Sequence, residues 1–207
     1  MAQLTFFSAE ASAPAVTDLA GLLCGSGQIA CFADTAARLS VVVAEQWRAE
    51  ALLAECGARG VDAQVTAAED GLPCVRTAFR ADLLPLARAW TRGAVKAVPG
   101  DLALDGAMLR LWMLACGWPS GKRGGRGYLL QLDTRATGTH RPLLSRLSAM
   151  GLTSAAYSSN LLGARSGGPA VRIEGVRRMR RLAELIGPAP PGAQGQWPAP
   201  ARAVAAS

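Results

Sequence analysis

The chain contains no run of about 20 apolar residues, so no segment is long enough to span a bilayer as a helix, and no membrane role is expected. Its opening residues, MAQLTFFSAEASAP, carry neither the basic segment nor the apolar stretch of a secretory signal, which points to the cytoplasm. A C-x-x-C pair is also missing. The five cysteines (Cys24, Cys31, Cys56, Cys74, Cys116) are odd in number, widely spaced and set in apolar contexts, as buried reduced thiols would be, rather than a zinc site or a disulfide framework. Histidine is reduced to His140, near a helix start and with no serine or cysteine motif to pair with, so nucleophilic catalysis of the Ser-His or Cys-His kind is not expected and a capping or surface role is. Gly121-Lys122 lies in a glycine-rich stretch, but the G-x-x-x-x-G-K-[ST] spacing of a phosphate-binding loop is absent and Arg123 follows the lysine. No cofactor and no metal are expected.

Apolar residues and positive charge are abundant. Half of the 207 residues are hydrophobic, enough to bury a core as one domain or as two small halves sharing an interface. The net charge of +7 is unevenly placed: residues 1–100 carry 8 basic against 10 acidic residues, net −2, and residues 101–207 carry 14 against 5, net +9. Clustered cations gain affinity for a polyanion by releasing its condensed counterions, so the second half is the side expected to face one. A coding bias toward GC-rich codons produces Arg- and Ala-rich chains as well, and composition alone does not choose between the two.

The chain repeats one order of elements twice. After an amino-terminal segment (1–16), the first half (17–92) reads as a helix at Thr17 to Cys24, a strand at Gln28 to Phe32, a turn at Asp34 and a strand at Arg38 to Val43. A helix then runs from Gln46 to Ala58, with Trp47, Leu52, Leu53 and Cys56 near 3.6 periodicity. Strands Ala63 to Ala68 and Leu72 to Phe79 are joined by Asp70-Gly71, and a helix from Asp82 to Arg92 closes the half. A linker (93–104) leads to the second half (105–187). It comprises a helix at Asp105 to Cys116, a strand near Trp118, a glycine-rich loop from Ser120 to Gly127 read as a mobile hairpin tip, and a strand at Tyr128 to Asp133. A helix at Arg141 to Met150, strands at Thr153 to Ser158 and Ala170 to Glu174, and a helix at Val176 to Ile186 complete it. Gly71-Leu-Pro-Cys-Val-Arg76 aligns with Gly167-Gly-Pro-Ala-Val-Arg172, identical at Gly, Pro, Val and Arg. The Pro- and Ala-rich stretch 188–207 reads as a disordered tail with no room for a further domain.

The order helix, two strands, helix, two strands, helix, used twice, resembles the LAGLIDADG plan, and the leading helices carry the resemblance. Leu19-Ala-Gly-Leu-Leu-Cys-Gly-Ser-Gly27 keeps the initial Leu-Ala-Gly-Leu and the final glycine of that motif. Leu109-Arg-Leu-Trp-Met-Leu-Ala-Cys-Gly117 is similar to the Leu-Arg-Gly-Ala-Phe-Leu-Ala-Cys-Gly helix of the WhiA family, with Leu111 and Trp112 where that family has small residues. Tyr128-Leu-Leu-Gln-Leu and Leu182-Ala-Glu-Leu-Ile-Gly187 resemble later segments of the same family, so the resemblance covers about residues 17 to 187. It implies an α+β fold of two αββαββα halves related by a pseudo-twofold axis and forming a saddle. The motif helices would pack together along that axis, with Ala20, Gly21 and Cys24 as the small residues that allow close approach. LAGLIDADG nucleases hold divalent metal with a carboxylate from the end of each motif helix; the matching positions here are Ser26 and Cys116, flanked by Gly25 and Ala115, which supply no anionic oxygen. The resemblance therefore implies a non-catalytic protein.

In a saddle of this kind the duplex meets the strand faces turned away from the helices, and strand alternation sorts the side chains. With Leu39, Val41, Val43, Val75, Val171 and Ile173 inward, the residues facing the groove are Arg38, Ser40, Arg76, Arg172, Gln64, Thr66 and Gln131. Arg76 and Arg172 form a symmetric pair; an alternating polar face that simply meets solvent remains the alternative. Lys122, Arg123 and Arg126 in the hairpin loop are placed to follow phosphates without reading bases. Arg177, Arg178, Arg180 and Arg181 share an arc of about 160 degrees on the last helix, as a phosphate-binding or merely solvated face, with Met179, Leu182 and Ile186 toward the core. WhiA proteins add a carboxy-terminal helix-turn-helix, which this sequence lacks. Two functions therefore compete: a nucleoid-associated regulator or accessory protein that binds double-stranded DNA, and an interaction module for a protein of the transcription machinery. By resemblance, the process would be sporulation or cell-division control.

Overall fold

The computed structural model describes residues 8–9, 12–120, 127–153, 161–162, 168–193 and 195–198. Each half is built on a four-stranded antiparallel sheet. In the first, β1 (Gln28–Phe32), β2 (Ala36–Val42), β3 (Ala63–Ala67) and β4 (Pro73–Thr77) lie in the spatial order β1-β2-β4-β3. A two-residue hairpin, β5 (Thr91–Arg92) and β6 (Val95–Lys96), follows. The second sheet is β7 (Gly117–Ser120), β8 (Gly127–Gln131), β9 (Leu161–Leu162) and β10 (Ala170–Glu174), in the order β7-β8-β10-β9. Position for position this is the same arrangement, and the pairings agree: Arg76 sits opposite Ser40 and Val75 opposite Val41, while Arg172 sits opposite Leu129 and Val171 opposite Leu130. The short sequence match between 71–76 and 167–172 therefore marks one equivalent rung in each sheet.

Turns follow from local chemistry. The β1-β2 hairpin closes through Ala33 and Asp34, both with positive φ (45° and 52°), and Thr35 N–H donates to Phe32 O at 3.0 Å. That handedness matches the twist of the flanking strands and so tolerates two non-glycine residues in the left-handed region. Gly71 (φ 79°) lies in the β3-β4 turn beside Asp70, whose Oδ1 accepts from Leu72 N–H.

Among the described residues six helices accompany the sheets: α1 (Ala20–Cys24), entered by a 3-10 turn from Val16, α2 (Gln46–Ala58), α3 (Leu84–Trp90), α4 (Gly106–Cys116), α5 (His140–Ala149) and α6 (Val176–Ile186). Asp105 starts α4 by accepting from Met108 N–H at 2.9 Å, an N-cap that satisfies one otherwise unpaired donor. Nine of the eleven α4 residues are buried, and this helix carries the middle of a single apolar core that runs from Leu19 to Trp197. Among the described residues no helix is long and apolar enough to cross a membrane.

Three expectations need correcting. The helix expected over 82–92 ends at Trp90, because the chain leaves it to form the β5-β6 hairpin around Gly93 (φ 62°), so the linker is partly structured. The tail expected to be disordered packs at 188–193 and 195–198: Ala193 and Trp197 are buried, and Trp197 Nε1 donates to Gly187 O. Cys31 is exposed, whereas the other four thiols are buried. The strand expected over Thr153 to Ser158 lies outside the described residues after Thr153.

Candidate nucleic-acid interface

The motif helices meet at the center of the molecule. A Cβ on Gly21 would stand 2.0 Å from Met108 O and one on Gly25 2.3 Å from Cys116 Sγ, so glycine is what allows α1 to lie against the α4 backbone. Leu111 and Trp112 do not disturb this approach; both are buried, and Trp112 Nε1 donates to Gln131 O at 2.9 Å.

Each motif helix ends on a buried cation. At the end of α1, Lys96 Nζ donates to Gly25 O and Gly27 O, both at 2.8 Å, lies 3.3 Å from Leu23 O, and pairs with Asp133 Oδ2 at 2.6 Å. Gln28 Nε2 donates to the same carboxylate oxygen at 2.9 Å. Burial works to raise the Asp133 carboxyl, but Lys96, the Arg135 amide and Gln28 outweigh it and hold the group below its ordinary range. At the end of α4, the fully buried Arg48 donates to Met113 O, Leu114 O and Gly117 O at 2.6–3.1 Å, with its guanidinium 4.6 Å from both the Trp47 and Trp118 rings. Glu45 Oε2 accepts from Arg48 Nε at 3.0 Å, and Gln196 from the tail reaches both residues.

Around this center lie the strand faces expected to meet a polyanion. Cross-strand partners share a face. Ser40 and Arg76 are therefore on one side of the first sheet with Arg38, Gln28 and Gln64, opposite the buried Leu39, Val41 and Val75. In the second sheet Leu129, Gln131 and Arg172 lie opposite Leu130, Val171 and Ile173. Arg76 and Arg172 share a further property: each has a buried Nε with no hydrogen-bond partner among the described residues. Arg172 also pairs with Glu174 at 3.2 Å in an exposed contact. Arg38 stacks on Phe79, 4.6 Å from its ring, and Phe79 in turn packs on the exposed Phe32 with centroids 5.6 Å apart. Between the sheets, Ser26, Gln28, Ser40 and Val42 from the first half and Asp133, Thr134 and Arg135 from the second line a cavity of about 310 Å³.

The remaining candidate residues are dispersed. On α6, Arg177 and Arg178 reach a shallow groove, Arg180 pairs with Glu184 at 2.9 Å, and Arg181 Nε donates to Met150 O. These lie on the helical layer behind the second sheet rather than on its strand face. Lys122, Arg123 and Arg126 fall outside the described residues. His140 is not a surface residue: it is buried, with Nε2 2.8 Å from Asp133 O, and its backbone N–H caps the 3-10 turn Thr137–Thr139 by donating to Thr137 O. Lys96, Asp133 and Arg48 are the central residues that reading the sequence missed. A signal existed for Arg48, since Arg48, Leu52 and Cys56 recur at i, i+4, i+8 on the buried face of α2. Lys96 is one of only two lysines in a chain that otherwise uses arginine.

No family model matches the sequence, and no curated protein matches it. Solved structures do. The homing endonuclease I-WcaI bound to its DNA recognition sequence superposes with a TM-score of 0.55 at 13% identity, over 90% of this chain and 83% of that one. The N-terminal LAGLIDADG domain of DUF199/WhiA gives 0.54 at 13% identity, over 91% of this chain and 97% of that one. The fold is the LAGLIDADG fold. Full-length DUF199/WhiA from Thermatoga maritima gives 0.53 at 11% identity, over 84% of this chain and 55% of that one, so the present chain spans about half of that protein.

In LAGLIDADG nucleases the ends of the motif helices supply carboxylates for metal, and the residues here do not fit that task. Ser26 and Cys116 occupy the matching positions. Burial pushes the Cys116 thiol up to about 11, and its Sγ lies 3.6 Å from Trp112 O and 3.5 Å from Gln131 O. The oxygens that could hold a hard cation at the end of α1 are already bonded to Lys96.

Proposed function

We propose that the chain is a non-catalytic DNA-binding platform, acting as a WhiA-like transcriptional, sporulation or cell-division regulator or accessory factor. The observation that carries this reading is the matched pair Arg76 and Arg172, on equivalent rungs of the two sheets, each half-buried on the strand face. A guanidinium in that position gains charge-assisted hydrogen bonds from an approaching phosphate through its terminal nitrogens. Two such groups related by the pseudo-twofold suit a duplex, whose strands carry the same symmetry. Arg38, Gln131, the loop cations Lys122, Arg123 and Arg126, and the α6 cations Arg177, Arg178, Arg180 and Arg181 extend the reading along the phosphate backbone. The absence of a carboxylate at Ser26 and Cys116, with Lys96 in contact with the α1 carbonyls, supports binding without strand cleavage.

The test is fluorescence anisotropy of labelled duplex DNA across a salt series with magnesium present and the duplex checked for cutting. Binding that weakens steeply with salt and leaves the duplex intact is the expected result. Converting both Arg76 and Arg172 to Ala is expected to weaken binding and lower the magnitude of the salt slope by about 2, roughly 0.9 per lost phosphate contact. Absence of binding at low salt refutes the proposal.

A protein partner is the second reading, and Phe32 and Phe79 favour it. These two rings are 62% and 42% exposed at the end of the first sheet, a pairing that costs hydration unless something covers it. Loss of transcription-machinery capture in a Phe32→Ser variant that still binds duplex DNA would assign that surface to the partner.

A further inference from the structure

We propose that the groove between the end of α5 and the start of α6 binds a small organic phosphate, a phosphoryl group carrying an apolar or aromatic body. Its wider part is a cavity of about 690 Å³ at the amino-terminal end of α6, lined by Gly175, Arg177, Arg178 and Arg181 and by Thr153. The first intrahelical bond of α6 runs from Met179 N–H to Gly175 O, and no side chain caps that end. The amides of Val176, Arg177 and Arg178 therefore lead the helix, at its positive pole, where anions bind. Thr153 is an independent sign of a ligand. It lines the same cavity at 6% exposure, and its Oγ1 has no hydrogen-bond partner among the described residues. A buried hydroxyl in that state gains from an acceptor, and a step between staggered rotamers is enough to present it to one. Glu174, the carboxylate on this lining, is already paired with Arg172.

A bare phosphate would leave part of the groove empty. Past Arg181 it continues into a second cavity of about 230 Å³, which shares Ala149, Met150 and Arg181 with the first and adds Leu102, Leu104 and Leu185. Arg177, Arg181 and Leu185 recur at i, i+4 and i+8, so one stripe of α6 passes from charged to apolar over about 12 Å. Arg181 stands where the two cavities meet, held there by the bond from its Nε to Met150 O. The occupant that satisfies both parts is amphipathic, with its phosphoryl group at the helix end and its body among Leu102, Leu104 and Leu185. A duplex does not meet that description, because its phosphates carry no apolar group that could enter the second cavity. Nor does general attraction to charge, since Arg180, bonded to Glu184 on the same helix, lines neither cavity.

The experiment requires no DNA, so its outcome is separate from that of the duplex-binding reading. The full chain is titrated by calorimetry with inorganic phosphate, with adenosine monophosphate, whose body is flat and aromatic, and with hexyl phosphate, whose body is flexible and aliphatic. At least one ester is expected to bind about tenfold more tightly than inorganic phosphate, and the tighter of the two identifies the body. Arg177→Glu is expected to weaken that binding at least about tenfold, whereas Arg180→Glu, the same charge change at another exposed position of α6, leaves it unaltered. Ala149→Trp, exposed on the lining that both cavities share, is expected to remove the advantage of the ester over inorganic phosphate. The Arg76→Ala, Arg172→Ala double variant is expected to bind the ester as the parent does. Esters that bind no better than inorganic phosphate overturn the proposal, as does equal weakening by Arg177→Glu and Arg180→Glu or loss of ester binding in the double variant.

Discussion

At the scale of single residues, the center of the molecule depends on what two glycines omit. Gly21 lets α1 approach the Met108 carbonyl where a Cβ would stand 2.0 Å away, and the atom it would strike is backbone, which cannot rotate aside. Gly21→Val is therefore expected to cost on the order of 3 kcal/mol, read as a lower urea midpoint with unchanged slope. The thiols give a second check. Burial raises Cys24, Cys56 and Cys116, the latter two to about 11, and Cys74 is buried as well, so Cys31 is the one exposed thiol. Mass spectrometry after brief alkylation of native protein should find one modified cysteine, at Cys31, and five after denaturation. Rapid labelling of Cys24 or Cys116 in native protein would contradict the packing of the motif helices.

At the scale of elements, the sequence is legible where structure is local. Alternation in β2, β4 and β10 identified Arg38, Arg76 and Arg172 as the residues opposite the core, and the 3.6-residue period of α6 assigned Leu182 and Ile186 to the inside. Those patterns need only neighbours along the chain. What was illegible depends on distant partners. Nothing near Lys96 announces the carbonyls it caps, and a Pro- and Ala-rich tail looks unstructured until a groove beside α2 and α4 accepts it. Tyr128 Oη donates to Gln196 O, Arg110 lies 5.3 Å from the Trp197 ring, and Gly192 runs against Trp47, where a Cβ would meet the side chain at 2.6 Å. The segment thus acts as a strap whose contribution can be measured. Trp197→Ala is expected to destabilise the protein by about 3 kcal/mol in equilibrium urea unfolding. A change indistinguishable from zero would restore the disordered reading of the tail.

At the scale of the whole molecule, a buried carboxylate and a half-buried one join the halves. Asp133 of the second half meets Lys96 and Gln28, and Glu55 of the first half pairs with Arg110 of α4 at 2.5 Å and with Arg59 at 2.6 Å. Burial alone would raise Glu55, but hydrogen bonds from Arg110 and Arg59 outweigh it and leave the group below its ordinary value, as for Asp133. A carboxyl held lower in the folded than in the unfolded chain contributes stability in full above its unfolded value and loses it as pH falls through the folded one. Tm should accordingly be flat near neutrality and fall on acidification through and below the ordinary carboxylate range. Glu55→Gln should have a lower Tm at neutral pH and a shallower acid slope; an acid profile identical to that of the parent would remove Glu55 from the joint.

The strap has a consequence for how the protein is made. Glu45 immediately precedes α2 and Arg48 lies within it, yet Gln196, which bonds to both, lies 151 and 148 positions downstream. During synthesis the first sheet can pair and α2 can form long before that glutamine has been translated. The guanidinium that will finish α4 then waits without its last partner, and with the α4 carbonyls themselves still to come. Native packing around Arg48 is therefore among the last events of biogenesis, and a ribosome stalled before Gln196 should hold a nascent chain whose first half is formed but whose center is still open to protease.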